Sequence, residues 1–182
     1  MTSRPSVRHR RAGRFLFIAL TLGLFGPGSS HAQQSAPERL QFMGFRPGDP
    51  IADLARQAAA LGVERLACDT ARRDGRVREC RGTLYGDAQV PLRLRAVAIR
   101  DTAAIVLVSG TIPEAERRRW ERALEAAYGA VPARVDGGQR MRQWIRDGTM
   151  LRLVWRGSAS EPEVSVSLVD GRTLDSWGRT LK

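Results

Sequence analysis

Histidine is confined to the start of the chain. The two that occur, His9 and His31, fall in the first 32 residues, and none follows. The remainder therefore has no Ser-His-Asp or Cys-His nucleophile and no histidine-ligated zinc or copper. Cysteine is nearly as scarce, and Cys68 and Cys80 alone cannot build a thiolate cluster. The only lysine is Lys182, so a Ser-Lys pair would need the final residue. Carboxylate, arginine, tyrosine and serine are left for catalysis, in no motif with a known mechanism. No cofactor and no metal site is expected. Apolar runs are short: Phe15–Phe25 spans 11 residues, against the ~20 that cross a bilayer.

That run has a context. MTSRPSVRHRRAGR carries five arginines and no acid ahead of it, and Ser30-His31-Ala32 is a small-x-small tripeptide behind it. Basic, apolar and small-residue regions in this order make a secretory signal peptide. Residues 1–32 are read so, and the mature chain as an exported protein, periplasmic or secreted, with no stable membrane span. Arg10-Arg11 alone does not make a twin-arginine signal, and no cysteine follows the run to carry a lipid. Five of the 30 basic residues leave with the signal, so 25 face 19 acids and the charge falls from +11 to +6. The pI of 11.3 would suggest nucleic-acid binding. Export argues against it, and the milder charge bears on partners rather than on fold.

In an exported chain Cys68 and Cys80 are expected to form one disulfide. Arg73-Asp74-Gly75 between them suits a three-residue hairpin loop with Gly75 left-handed. Counting outward pairs Arg72 with Arg76, Ala71 with Val77 and Cys68 with Cys80, at a spacing a disulfide accepts. The same register opposes Asp69 to Glu79, so an irregular cross-linked loop is the alternative. No C-x-x-C spacing suggests a redox-active pair.

Beyond a polar leader (33–43), GFRPGDP introduces a helix with Asp49 as N-cap and Pro50 at the first helical position. Ile51, Leu54, Ala58 and Leu61 form its apolar stripe, and Gly62 ends it. Strands follow at 76–84, 90–99 and 103–110. In the second, Leu92, Leu94, Ala96 and Ala98 alternate with Arg93, Arg95 and Val97, as in a sheet with one wetter face. Ile105 to Val108 are apolar on both parities, which suits a central strand. The order then restarts. Thr111-x-x-Glu114 reads as a capping box opening a helix striped by Trp120, Leu124 and Ala127, with Tyr128 beside them and Gly129 at its end. Arg118 and Arg122 share its solvated outer face. Three more strands are RMRQWIRD, TMLRLVWRG and EVSVSLVDG, before a tail offering Leu174 and Trp177 as anchors. The fold class is α+β: two tandem helix-plus-three-strand units (44–110 and 111–182), with helices on one face of antiparallel sheet.

This order, with the export signal, the small disulfide loop and the stretch GFRPGDPIADLARQAAALG, resembles the beta-lactamase-inhibitory-protein fold. It also resembles single-unit relatives among outer-membrane assembly lipoproteins. The likeness spans about residues 44 to 170 and departs from the lipoprotein branch in lacking a lipidated cysteine. It implies protein binding through an exposed sheet face and carries over no functional residue.

The segment RQWIRDGTMLRLVWRG (142–157) interleaves arginine with tryptophan. A primed turn at Asp147-Gly148 sets Trp144 opposite Leu151 and Ile145 opposite Met150. Trp144, Leu151, Leu153 and Trp155 then share one face, which is expected to pack on the second helix. Arg152 and Arg156 point from the other. With Arg93 and Arg95 they are the candidate interface of a non-enzymatic binding module whose partner is an envelope protein or an anionic surface polymer, arginine being a frequent interface anchor. The alternative is an envelope hydrolase with paired carboxylates, for which Asp170 and Asp175 are the candidates, although Asp170-Gly171 also reads as a turn.

Overall fold

The computed structural model describes residues 39–86 and 89–179. The segment expected to be a signal peptide (1–32) and most of the expected polar leader (33–43) lie outside the described residues. Among these residues the architecture is α+β, a single eight-stranded antiparallel sheet with three helices. In chain order the elements are α1 (Ile51–Ala60), β1 (Ala67–Thr70), β2 (Val77–Tyr85), β3 (Pro91–Ile99), β4 (Thr102–Thr111), α2 (Glu114–Tyr128), β5 (Arg134–Asp136), β6 (Gln139–Arg146), β7 (Thr149–Gly157), β8 (Pro162–Asp170) and α3 (Gly171–Arg179). The sheet runs β1-β2-β3-β4-β8-β7-β6-β5. Each long helix is thus followed by four strands rather than three. The first arm of the hairpin expected between Cys68 and Cys80 is β1, whereas β5, only three residues long, was missed, and the tail expected only to supply anchors is a third helix.

Strand alternation decides which side is core. Cross-strand partners Leu94, Val108, Val166 and Leu153 are each at most 1% exposed. So are Val106, Leu168 and Leu151 in the next row. On this face lie Ile51, Leu54 and Ala58 of α1 and Trp120, Leu124 and Tyr128 of α2. The leader contributes as well: Leu40 and Phe42 are buried, and Phe42 meets the Trp120 ring edge-on at 5.0 Å.

Both long helices begin beyond the expected caps, α1 by one residue and α2 by two. Pro50 and Pro113 occupy the capping positions, with no side-chain cap bond at either. Instead a loop carbonyl satisfies the first free amide: Ile51 donates to Asp101 O at 2.7 Å and Glu114 to Ser160 O at 2.9 Å. Asp49 is freed to pair with Arg39 at 3.0 Å. Thr111 ends β4, and Glu114 turns to Arg117 and Arg118, so no capping box forms. At the other end of α1, Val63 N bonds Ala58 O and Gly62 N bonds Ala59 O, a Schellman motif with Gly62 at φ +80°.

The disulfide Cys68–Cys80 is present, its residues paired across β1 and β2 with Cα atoms 4.0 Å apart. Asp69 does oppose Glu79, and Arg81 reaches toward both, at 4.0 and 3.7 Å. Gly75 does not take the left-handed position. The chain turns at Asp74, whose carbonyl accepts from Val77 N, and the ladder stops at Thr70–Arg78. At the other hairpin Asp147 and Gly148 take φ +46° and +74° as a primed turn requires, and the register is the expected one.

α3 departs from the expected one-sided packing. Trp177 lies with Val77, Glu79 and Arg81, which alternate away from core-facing Cys80, so α3 crosses the end of the opposite sheet face. Its Trp177 Nε1 donates to Asp74 Oδ2 at 2.8 Å, tying the helix to the disulfide loop. The Arg76 guanidinium, then Trp177, hold the Asp74 carboxyl well below the usual carboxylate range.

Candidate binding surface

Beyond α3 the sheet face opposite α1 and α2 is open. One cross-strand row runs Arg81, Arg95, Leu107, Ser167, Arg152, Gln143, from β2 to β6. The next runs Thr83, Arg93, Ser109, Ser165, Val154, Met141. Serine and leucine floor the centre on β4 and β8, and arginine stands on either side. Three strand spacings separate β3 from β7, about 14 Å. The four arginines expected at an interface therefore share one face, as two pairs facing each other across a trough.

The pairs differ in how they are held. Arg93 and Arg95 are exposed, and no carboxylate among the described residues pairs with them. Arg152 is half-buried and donates Nε and Nη2 to Gln143 Oε1 at 3.0 and 2.8 Å. Arg156 pairs with Glu163 across the strands at 2.7 Å, both exposed, an ion pair of small worth. Arg81 was missed by sequence reasoning, though laying RVRECRGTL against VPLRLRAVAI puts it directly opposite Arg95. Like charges so placed repel.

The tryptophans of the 142–157 hairpin are on the core side. Trp144 is 4% exposed and donates to Gly129 O, while Trp155 lies under Arg117 with the guanidinium 4.7 Å from its ring centre. Arg117, beside the Arg118 that was placed on the solvated outer face, is itself buried, bonded to Glu114 and Glu121 on its own helix. Its place three residues before Trp120, on the stripe continuing to Leu124, is the signal that could have found it. The Arg117 guanidinium holds the Glu114 carboxyl down to about 2, against burial and with help from Arg118. The folded value lies below the unfolded one, so this contribution is full above about pH 4.5 and is lost as pH falls through about 2. Glu114→Gln is expected to flatten the acid limb of the stability curve by about 2 kcal/mol, discounted for the partly exposed carboxylate, as read by urea unfolding between pH 6 and 2.

Asp170 and Asp175 are not brought together as a facing pair. Asp170 is 5% exposed and caps α3, accepting from Arg172 N at 3.2 Å and Thr173 Oγ1 at 2.7 Å. Gly48, at φ +85°, makes room for it, since a Cβ there would stand 3.0 Å from Asp170 Oδ2. Asp175 is exposed on α3. Among the described residues no group of three acids or cysteines could hold a metal, and no helix is long and apolar enough to cross a membrane. Comparison of the chain with protein-family models, curated proteins and solved structures found no match.

Proposed function

We propose that the protein is an exported, non-enzymatic binding module that recognises an envelope protein or an anionic surface polymer through its open sheet face. The observation that carries this reading is the trough: a broad uncovered face, floored by serine and leucine and flanked by Arg93 and Arg95 on one side and Arg152 and Arg156 on the other. Arginine offers a planar, weakly hydrated, multidentate cation, and a rigid sheet presents it with little loss of freedom on binding.

The fold reads further as two helix-plus-sheet units joined through β4 and β8. The strand order is mirrored about that junction. The two helix starts also match, a proline at φ −57° and −56° followed by an amide held by the loop before the unit's last strand. This supports the resemblance to the beta-lactamase-inhibitory-protein fold, with its implied binding through a sheet face. The signal peptide and the disulfide support export.

A photo-cross-linking residue at Ser167, on the trough floor, tests the reading against one at Arg122, on the outer face of α2. In envelope extract, Ser167 is expected to give a discrete adduct that the combined charge reversal of Arg93, Arg95, Arg152 and Arg156 to Glu removes. Arg122 is expected to give none. Equal adducts from both positions, or none from Ser167, would sink the proposal.

A further inference from the structure

The sheet has an unfinished edge. β1 pairs with β2 only from Arg78 to Arg81, yet β2 continues to Tyr85. Two bonds fix which way its backbone groups point. Ala71 N donates to Val77 O on the β1 side, and Gly86 N donates to Val90 O on the β3 side. Odd-numbered residues of β2 therefore direct their N–H and C=O groups outward, and even-numbered ones toward β3. Thr83 and Tyr85, both exposed, aim two donors and two acceptors at a side where no strand lies. Among the described residues no backbone bond meets them there.

The space beside that edge is a cleft of about 640 Å³ between β2 and the segment following α1. Val63 and Leu94 line its inner wall, and its exposed margin carries Arg65, Arg81, Arg93 and Arg95 against one carboxylate among the described residues that line it, Glu64. A bare edge invites strand addition, and sheets ordinarily cover or charge it. Here the charge is predominantly positive: Arg81, approached by Asp69 and Glu79 at 4.0 and 3.7 Å, directly opposes Arg95, with which no carboxylate among the described residues pairs. A partner strand with carboxylates would relieve that repulsion while its backbone met Thr83 and Tyr85.

We infer that the free edge of β2 takes up an extended acidic polypeptide segment as a ninth strand, with acidic side chains toward the arginines and small apolar ones toward Val63. Strand addition draws affinity from main-chain bonds and specificity from alternate side chains. The inference rests on the binding-module reading and names the partner's form at one margin of the same face.

The probe is a capped hexapeptide alternating Glu and Val, with tripolyphosphate as an anion that has no peptide backbone. The peptide is expected to shift the Thr83 and Tyr85 amide resonances and slow their hydrogen exchange, and tripolyphosphate to do neither. Thr83→Pro removes one outward amide without breaking the β2–β3 ladder, and it should weaken the peptide about fivefold with unchanged circular dichroism. The pair Arg93→Glu and Arg95→Glu should weaken it about tenfold or more. If the charge reversals act but Thr83→Pro does not, or if tripolyphosphate matches the peptide, side-chain capture of anions replaces strand addition. If the peptide does not bind while the Ser167 adduct persists, the strand inference falls and the binding module stands. Loss of both ends both.

Discussion

Trp144→Ala is expected to lower the unfolding free energy by about 4 kcal/mol. The ring is 4% exposed on the core face of β6, opposite the fully buried Leu151 and tilted against Tyr128 at 6.5 Å. Truncation removes that burial and leaves a cavity under the end of α2. It also strips the Gly129 carbonyl of the indole donor 2.8 Å away, at the point where α2 ends. The loss spreads, because the Tyr128 hydroxyl both accepts from Gln41 N and donates to Gln41 O, at 2.8 and 3.0 Å, and so anchors the leader. Trp144→Phe keeps most of the apolar area and forfeits chiefly the hydrogen bond, at about 1–2 kcal/mol. Urea unfolding followed by far-ultraviolet circular dichroism gives both values. A near-neutral Trp144→Ala would mean that the tryptophan serves a ligand and not the core.

Periodicity made much of this fold legible. Alternation in VPLRLRAVAI separates Leu92 and Leu94, both fully buried, from exposed Arg93 and Arg95. Asp147-Gly148 set the hairpin register that buries Trp144 and turns Arg152 to the other side. Cysteine spacing gave the disulfide and its cross-strand pairing. What stayed hidden depends on contacts between distant segments. Ala67–Thr70 was legible only as the arm that the Cys68–Cys80 hairpin required, and its pairing with β2 is what makes it a strand. The helix caps were misplaced because backbone carbonyls from Asp101 and Ser160, remote in sequence, took the role assigned to Asp49 and Thr111. RTLDSWGRTLK has a helical stripe, but its N-cap, Asp170, was read as a turn residue, and the two roles look alike in sequence. The arginine trough was legible only in half. Each pair follows from its own strand, whereas their placement across β4 and β8 follows from sheet order, which no local pattern encodes.

Arg117→Ala is expected to cost about 3 kcal/mol, because it leaves carboxylates buried without their cation. Arg117 is 7% exposed, bonded to Glu114 at 2.6 Å and Glu121 at 2.7 Å, with Trp155 beneath it. Glu121 also receives Arg142, which bonds Glu125 and the Val131 carbonyl, so the network clamps α2 to β6. Removing the guanidinium sets Glu114 and Glu121 against each other over an apolar surface, with Arg118 and Arg142 as partial relief. The charge origin of the effect has its own signature. Arg117→Met in a Glu114→Gln, Glu121→Gln background fills the same volume with no unpaired charge, and it should recover all but about 1 kcal/mol. Acid should shrink the Arg117→Ala deficit as well: protonating Glu114 below about pH 4.5 relieves the variant, while the wild type keeps its ion pair until about pH 2 and then loses it. A deficit independent of pH, with no rescue in the triple variant, would assign Arg117 to packing over Trp155 alone.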